Sequence, residues 1–170
     1  MSSATTASAP GGRFLVFDIG GESSGASSGT FALDVSGVVQ VIEPDSIAHV
    51  PLAPSVVLGI LNHHGRIITV LDPAPLLGLV AQRGPASQVV ILRHGLRGNP
   101  NLGLQVVRSH GIVSRAELDE ADVIAGECIA WVARSGRRLI NIIELEPLLQ
   151  RLSRLFGSVE SREPLQGVTV

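Results

Sequence analysis

The sequence has no lysine and no tyrosine, and one residue each of cysteine, tryptophan and methionine in 170 positions. Aromatic residues make up 3% of the chain and charged residues 16%. A nucleic-acid surface needs a basic face with rings that stack on bases, and a net charge of −2 with so few rings argues against one. The lone Cys128 excludes an internal disulfide, and its place in an apolar run makes it a small buried hydrophobe rather than a nucleophile. No uninterrupted apolar stretch approaches the roughly 20 residues of a membrane span, so direct membrane insertion is not expected. Residues 1–12 are rich in Ser, Ala, Thr and Gly and lack the basic start and apolar core of a signal peptide. A soluble cytoplasmic protein with a disordered N-terminal tail is the expectation.

Recognisable catalytic patterns are missing as well. His49, His63, His64, His94 and His110 have no Cys or carboxylate at a ligand spacing, and neighbours on a strand point to opposite faces. The glycines of 20–29 are followed by neither Gly-Lys-Ser/Thr nor a helix start, so they read as a hairpin loop and not a phosphate cradle. Serines are plentiful, but none sits in a Gly-x-Ser-x-Gly elbow. No catalytic residue, metal site or cofactor is expected, and the chain does not read as an enzyme.

What is present is hydrophobic: 45% of the chain, enough to exclude wholesale disorder. The stretch 57–79 organises the rest. Two short Ile/Leu/Val runs, 58–61 and 67–71, flank Asn62-His63-His64-Gly65, and the pattern fits two paired strands across a tight turn. Asp72-Pro73 then reads as an acidic cap and first helical residue of a short turn through Leu77. This unit recurs 72 residues later, where R-I-I-T-V-L-D-P-A-P-L-L (66–77) lies over R-L-I-N-I-I-E-L-E-P-L-L (138–149). Residues 31–35 resemble 102–106 at an offset of 71.

Further strands are expected at 14–19, 30–35, 38–42, 47–50, 88–93, 102–107 and 108–114, with a last hairpin formed by 126–134 and 137–143. The acidic residues Asp119, Glu120 and Asp122 read as a solvated loop. An amphipathic helix over 145–156 closes the chain, with Leu145, Leu148, Leu149 and Leu152 on one stripe. Many short strands with turns every 8–12 residues point to an all-β fold of small barrels or a sandwich. The expected organisation is a tail at 1–12, a first β module at 13–79 and a linker at 80–86. A second module with its helix follows at 87–157, and a flexible tail at 158–170.

Taken in order, R-F-L-V-F-D-I-G (13–20), F-A-L-D-V-S-G-V-V-Q-V-I (31–42), the stretch 50–72, Q-V-V-I-L (88–92), L-G-L-Q-V-V (102–107) and the closing hairpin resemble the CheW-like family of chemotaxis coupling proteins. The resemblance covers nearly the whole chain after the N-terminal tail. It implies two five-stranded SH3-like barrels and a non-enzymatic scaffold. The implied partners are the cytoplasmic tip of a methyl-accepting chemoreceptor, the regulatory domain of a CheA-type histidine kinase and, in array rings, other CheW-like proteins. It assigns Val35, Val38, Val41, Asn62, His64, Val107 and Ile112 to a receptor groove, and Leu58, Ile60 and Arg66 to the kinase side. His64 stands where the family commonly has Arg, and Pro73-Ala74 replace its usual Leu-Arg. An alternative from another class is a small-molecule sensor or carrier that binds its ligand between the two barrels.

Overall fold

Runs of Val, Ile, Leu and Phe only four to seven residues long, punctuated by Gly, Pro and Asn, are too short for stable helices and fold as strands. The computed structural model describes residues 12–20, 28–81, 88–93 and 101–160. The expected 80–86 linker, the loops 20–29 and 95–101, and the two tails fall wholly or mostly outside those residues. The strands are β1 (Arg13–Ile19), β2 (Gly29–Asp34), β3 (Val38–Ile42), β4 (Val57–His63), β5 (Arg66–Leu71) and β6 (Gln88–Leu92). They continue as β7 (Leu102–Val106), β8 (Arg108–Ser114), β9 (Asp119–Glu120), β10 (Ile129–Ser135) and β11 (Arg138–Ile143), and helix α1 (Leu145–Glu160) follows.

Two sheets form, in the orders β8-β1-β2-β11-β10-β9 and β3-β6-β7-β5-β4. The first five strands of one correspond to the five of the other, and the correspondence reaches the hydrogen-bond register. Val57 pairs with Leu71 and Gly59 with Val70 around a bulge; 72 residues on, Ile129 pairs with Ile143 and Trp131 with Ile142 around the same bulge. The parallel pairs match too: Val70 lies beside Gly103, and Ile142 beside Ala32. On the edges, Val41 lies opposite Val90 as Ile112 lies opposite Leu15. The repeat seen in the sequence is therefore a structural duplication.

The expected division at 80–86 does not separate the sheets. Strands β1 and β2 lie in the sheet with β8–β11, while β6 and β7 lie in the sheet with β3–β5. Each half gives a hairpin to the other half's sheet, because β2 finds its parallel neighbour in β11 and β7 finds its own in β5.

This exchange makes β1 a strand buried on both faces. Phe14 and Val16 point into a cluster with Ala32, Leu118, Ala133, Ile140 and Ile142, inside the six-stranded sheet. Leu15, Phe17 and Ile19 point the other way, into a larger core shared by both sheets and by Leu148 and Leu152 of α1. A third cluster, with Leu61, Ile68, Val70, Val89 and Ile91, fills the five-stranded sheet. That sheet curls until its edges meet, where the Gln40 amide on β3 hydrogen-bonds the His63 ring on β4.

Four local expectations change. Asp119 and Glu120 form β9, pairing with Arg134 and Ala133, instead of a free loop. The segment 47–50 makes one bridge, Ala48 to Ile60, and no strand. The turn after β5 is a one-turn 3-10 helix at Pro75–Leu77 with Pro75, not Pro73, at its start. Asp72 is buried, and its Oδ1 accepts from the Ala74 N–H at 3.0 Å, an Asx-type turn that sets up the helix one step later than the sequence suggests. Helix α1 runs to Glu160, four residues beyond the expected end.

Candidate partner-binding surfaces

The first-half residues expected in a receptor groove lie around β3 and the 3-10 turn Val35–Gly37 that precedes it. Asp34 opens that turn by accepting the Ser36 N–H at 2.8 Å. Arg93 fastens its far side, donating to the carbonyls of Ser36 and Val38. Val35, Val38 and Val41 are half-buried against the shared core. Between them Val39 is the outward residue at the bulge of β3, and it is 47% exposed. On the matching edge of the other sheet, Ile112 belongs to none of the core clusters and is 57% exposed. A water-exposed isoleucine on a strand edge is unused apolar area.

Asn62 and His64 lie apart from the β3 valines. They lie at the tip of the β4–β5 hairpin, where His64 and Gly65 both have positive φ, 50° and 79°, the mirror-image turn that suits strand twist. The Asn62 Oδ1 is turned inward and accepts the Gly65 N–H at 2.9 Å. It is His63 that reaches β3, through Gln40, whose face of the strand is the one Ile42 turns to the five-stranded core. Val38 and Val41 occupy the opposite face. The His63 and His64 rings meet edge to face at 4.1 Å.

On the proposed kinase side, Leu58 is half-buried in the five-stranded core. Ile60 is half-buried and exchanges hydrogen bonds with Ala48 at 2.8 and 2.9 Å. Arg66 is exposed at the foot of the turn, and beside it Ile67 is 56% exposed. Ile67 was not among the residues assigned to the kinase side, although strand alternation from the buried Ile68 places it outward.

Val107 lies where the two sheets abut, in a polar cleft of about 970 Å³ with Asp18, Thr30, Arg108 and Arg138. Asp18 binds Thr30 Oγ1 at 2.9 Å and His110 Nε2 at 2.6 Å, tying β2 and β8 to β1. Across the junction the Ser109 N–H donates to Gln88 Oε1 at 2.7 Å, and Gln88 in turn donates to Glu43. Val107 thus has polar neighbours unlike those of the β3 valines. Burial, and after it the charge of Glu144, push the Cys128 thiol above its ordinary range. Among the described residues no group of three or more His, Cys, Asp or Glu could hold a metal ion. No helix among them is long and apolar enough to cross a membrane.

The family model described as the CheW-like domain matches residues 13–153. The chain is 25% identical over 126 residues to the chemotaxis protein CheW of Thermotoga maritima, an alignment spanning 72% of this chain and 82% of that protein. It is similar to the crystal structure of the scaffolding protein TtCheW from Thermoanaerobacter tengcongensis, with a TM-score of 0.60 at 24% identity. That likeness covers 78% of this chain and 88% of the other and speaks for the fold.

Proposed function

The chain belongs to the CheW-like family and is a chemosensory adaptor, and from that premise we propose that it couples a methyl-accepting chemoreceptor to a CheA-type histidine kinase in the cytoplasm. The observation that carries this reading is the pair of outward isoleucines on different sheets, Ile112 on β8 and Ile67 on β5. Two partners held at once need two surfaces that do not overlap.

The receptor's helical tip docks along β3 and β8, with Val35, Val38 and Val41 as the apolar floor and Ile112 as the exposed contact. The kinase's regulatory barrel docks on the β4–β5 hairpin through Arg66 and Ile67, with Leu58 and Ile60 behind them as support. Asn62 and His64, at the hairpin tip, belong with the kinase side in this arrangement. The corresponding hairpin of the second sheet exposes Leu139, 47% accessible and 72 residues after Ile67. It offers an equivalent surface for another CheW-like protein in a ring.

The test is reconstitution: a receptor tip fragment on vesicles, the kinase, and this chain, followed by sedimentation. Kinase should reach the pellet only when the chain is present. A chain that stays in the supernatant, or kinase that pellets equally without it, defeats the proposal.

A further inference from the structure

A cleft of about 500 Å³ opens between the start of α1, the Val35–Gly37 turn and β10. Its apolar surface comes from the half-buried Trp131, Leu145 and Leu149, with the buried Phe14 and Leu33 beneath them. Three carboxylates line it, Glu144 and Glu146 beside the start of α1 and Asp34 from the turn, and among the described residues no Arg or His does. Among the described residues none of the three is paired with a cation. Their hydrogen bonds are local, from the Ser36 N–H to Asp34 and from Gln150 to Glu146.

Carboxylates at a helix start are favoured by the helix dipole alone, which accounts for Glu144 and Glu146 as stabilising groups. Asp34, from a different element, caps the Val35–Gly37 turn, and neither role accounts for the apolar floor between the carboxylates. The Trp131 ring meets Phe14 edge-on at 6.1 Å and carries the Arg115 guanidinium over it at 4.2 Å. The indole therefore supplies apolar contact, and the carboxylates supply the charge recognition.

We infer that this cleft binds a basic, apolar peptide segment of a partner protein, its arginines or lysines meeting the three carboxylates and its aliphatic side chains filling the floor. Charge complementarity selects the occupant: an acidic rim over an apolar floor repels acidic segments and gives neutral ones no ion pair. Three carboxylates drawn from two separate elements suit a chain with several cations better than a single amine.

Trp131 is the sole tryptophan and the chain has no tyrosine, so its fluorescence reports this cleft without labelling. The probe is a blocked hexapeptide alternating leucine with arginine, compared with its glutamate analogue and with N-acetylarginine amide. The arginine peptide should give a saturable change in Trp131 emission, and the glutamate analogue none. The double variant Glu144→Gln/Glu146→Gln should weaken binding about two- to tenfold, as should about 0.5 M salt. Asp34→Asn keeps an acceptor for the Ser36 N–H and should weaken binding by a smaller factor. Circular dichroism checks that each variant is folded. The inference is overturned if the arginine peptide leaves Trp131 unchanged, if both peptides bind alike, or if the double variant binds as the wild type does. It is also overturned, in favour of a small-amine site, if N-acetylarginine amide binds as tightly as the hexapeptide.

Discussion

Gly59→Ala probes the close approach of the 47–48 backbone to β4. A Cβ at this position lies 2.4 Å from the Ala48 carbonyl oxygen and 2.7 Å from Ile47 Cγ2, so the 47–48 backbone has to move away. That backbone is held by two hydrogen bonds with Ile60, at 2.8 and 2.9 Å. Losing both costs about 1–3 kcal/mol at the usual net value per bond. Ile47 also loses contact with the five-stranded core, so a total near the top of that range is expected. With a urea dependence of about 1–3 kcal/mol per molar, the unfolding midpoint should fall by roughly 1–3 M with an unchanged slope. Gly65→Ala is the control. Gly65 has φ +79° and nothing within 4 Å of a built Cβ, so it carries only the left-handed backbone cost of about 1–2 kcal/mol. A Gly59→Ala variant within about 0.5 kcal/mol of wild type would refute the steric reasoning, since ordinary surface changes stay within that margin.

The hairpin tip and the thiol yield further expectations. His64 holds φ +50° where the duplicate hairpin has Gly136 at φ +60°, so His64→Gly should stabilise the fold by roughly 1 kcal/mol in urea unfolding. A loss of stability would mean that the His63–His64 ring contact outweighs the backbone strain. Cys128, its thiol raised by burial and then by Glu144, holds less thiolate than a free cysteine at neutral pH. Alkylation should be slower than in the urea-unfolded chain and should quicken as pH rises past the ordinary thiol range. Glu144→Gln should speed it modestly, because the charge is the smaller cause. Equal rates in folded and unfolded protein would contradict that environment.

The duplication was legible from sequence because paired hairpins with the same face buried repeat their apolar spacing, as 66–77 and 138–149 do. The exchange of hairpins between sheets was not. Alternation along 14–19 says that both faces of that strand are apolar, but it carries no information on which strand lies alongside. The β2–β11 pairing joins Ala32 to Ile142, across most of the chain. Asp72 was expected to cap a helical turn starting at Pro73, but its side chain bonds forward to the Ala74 N–H, and Ala74 is the cap of a turn that starts at Pro75. Around the hairpin, strand alternation separated His63 from His64. It left open that His63 is the one reaching β3, because that depends on curvature that closes the sheet. The Trp131 cleft is assembled from four separate stretches of chain, so no local pattern marks it.

If receptor and kinase occupy separate surfaces of one adaptor, as proposed, a charge placed on each surface should remove one partner and keep the other. Sedimentation of the ternary assembly with Ile112→Glu and Ile67→Glu decides this. Both positions are more than half exposed, so a charge at either leaves the cores intact. Ile112→Glu should remain in the supernatant with bound kinase, losing the receptor alone. Ile67→Glu should pellet with the receptor and leave the kinase behind. Two variants that fail in the same way, or that both assemble as the wild type does, would contradict the claim.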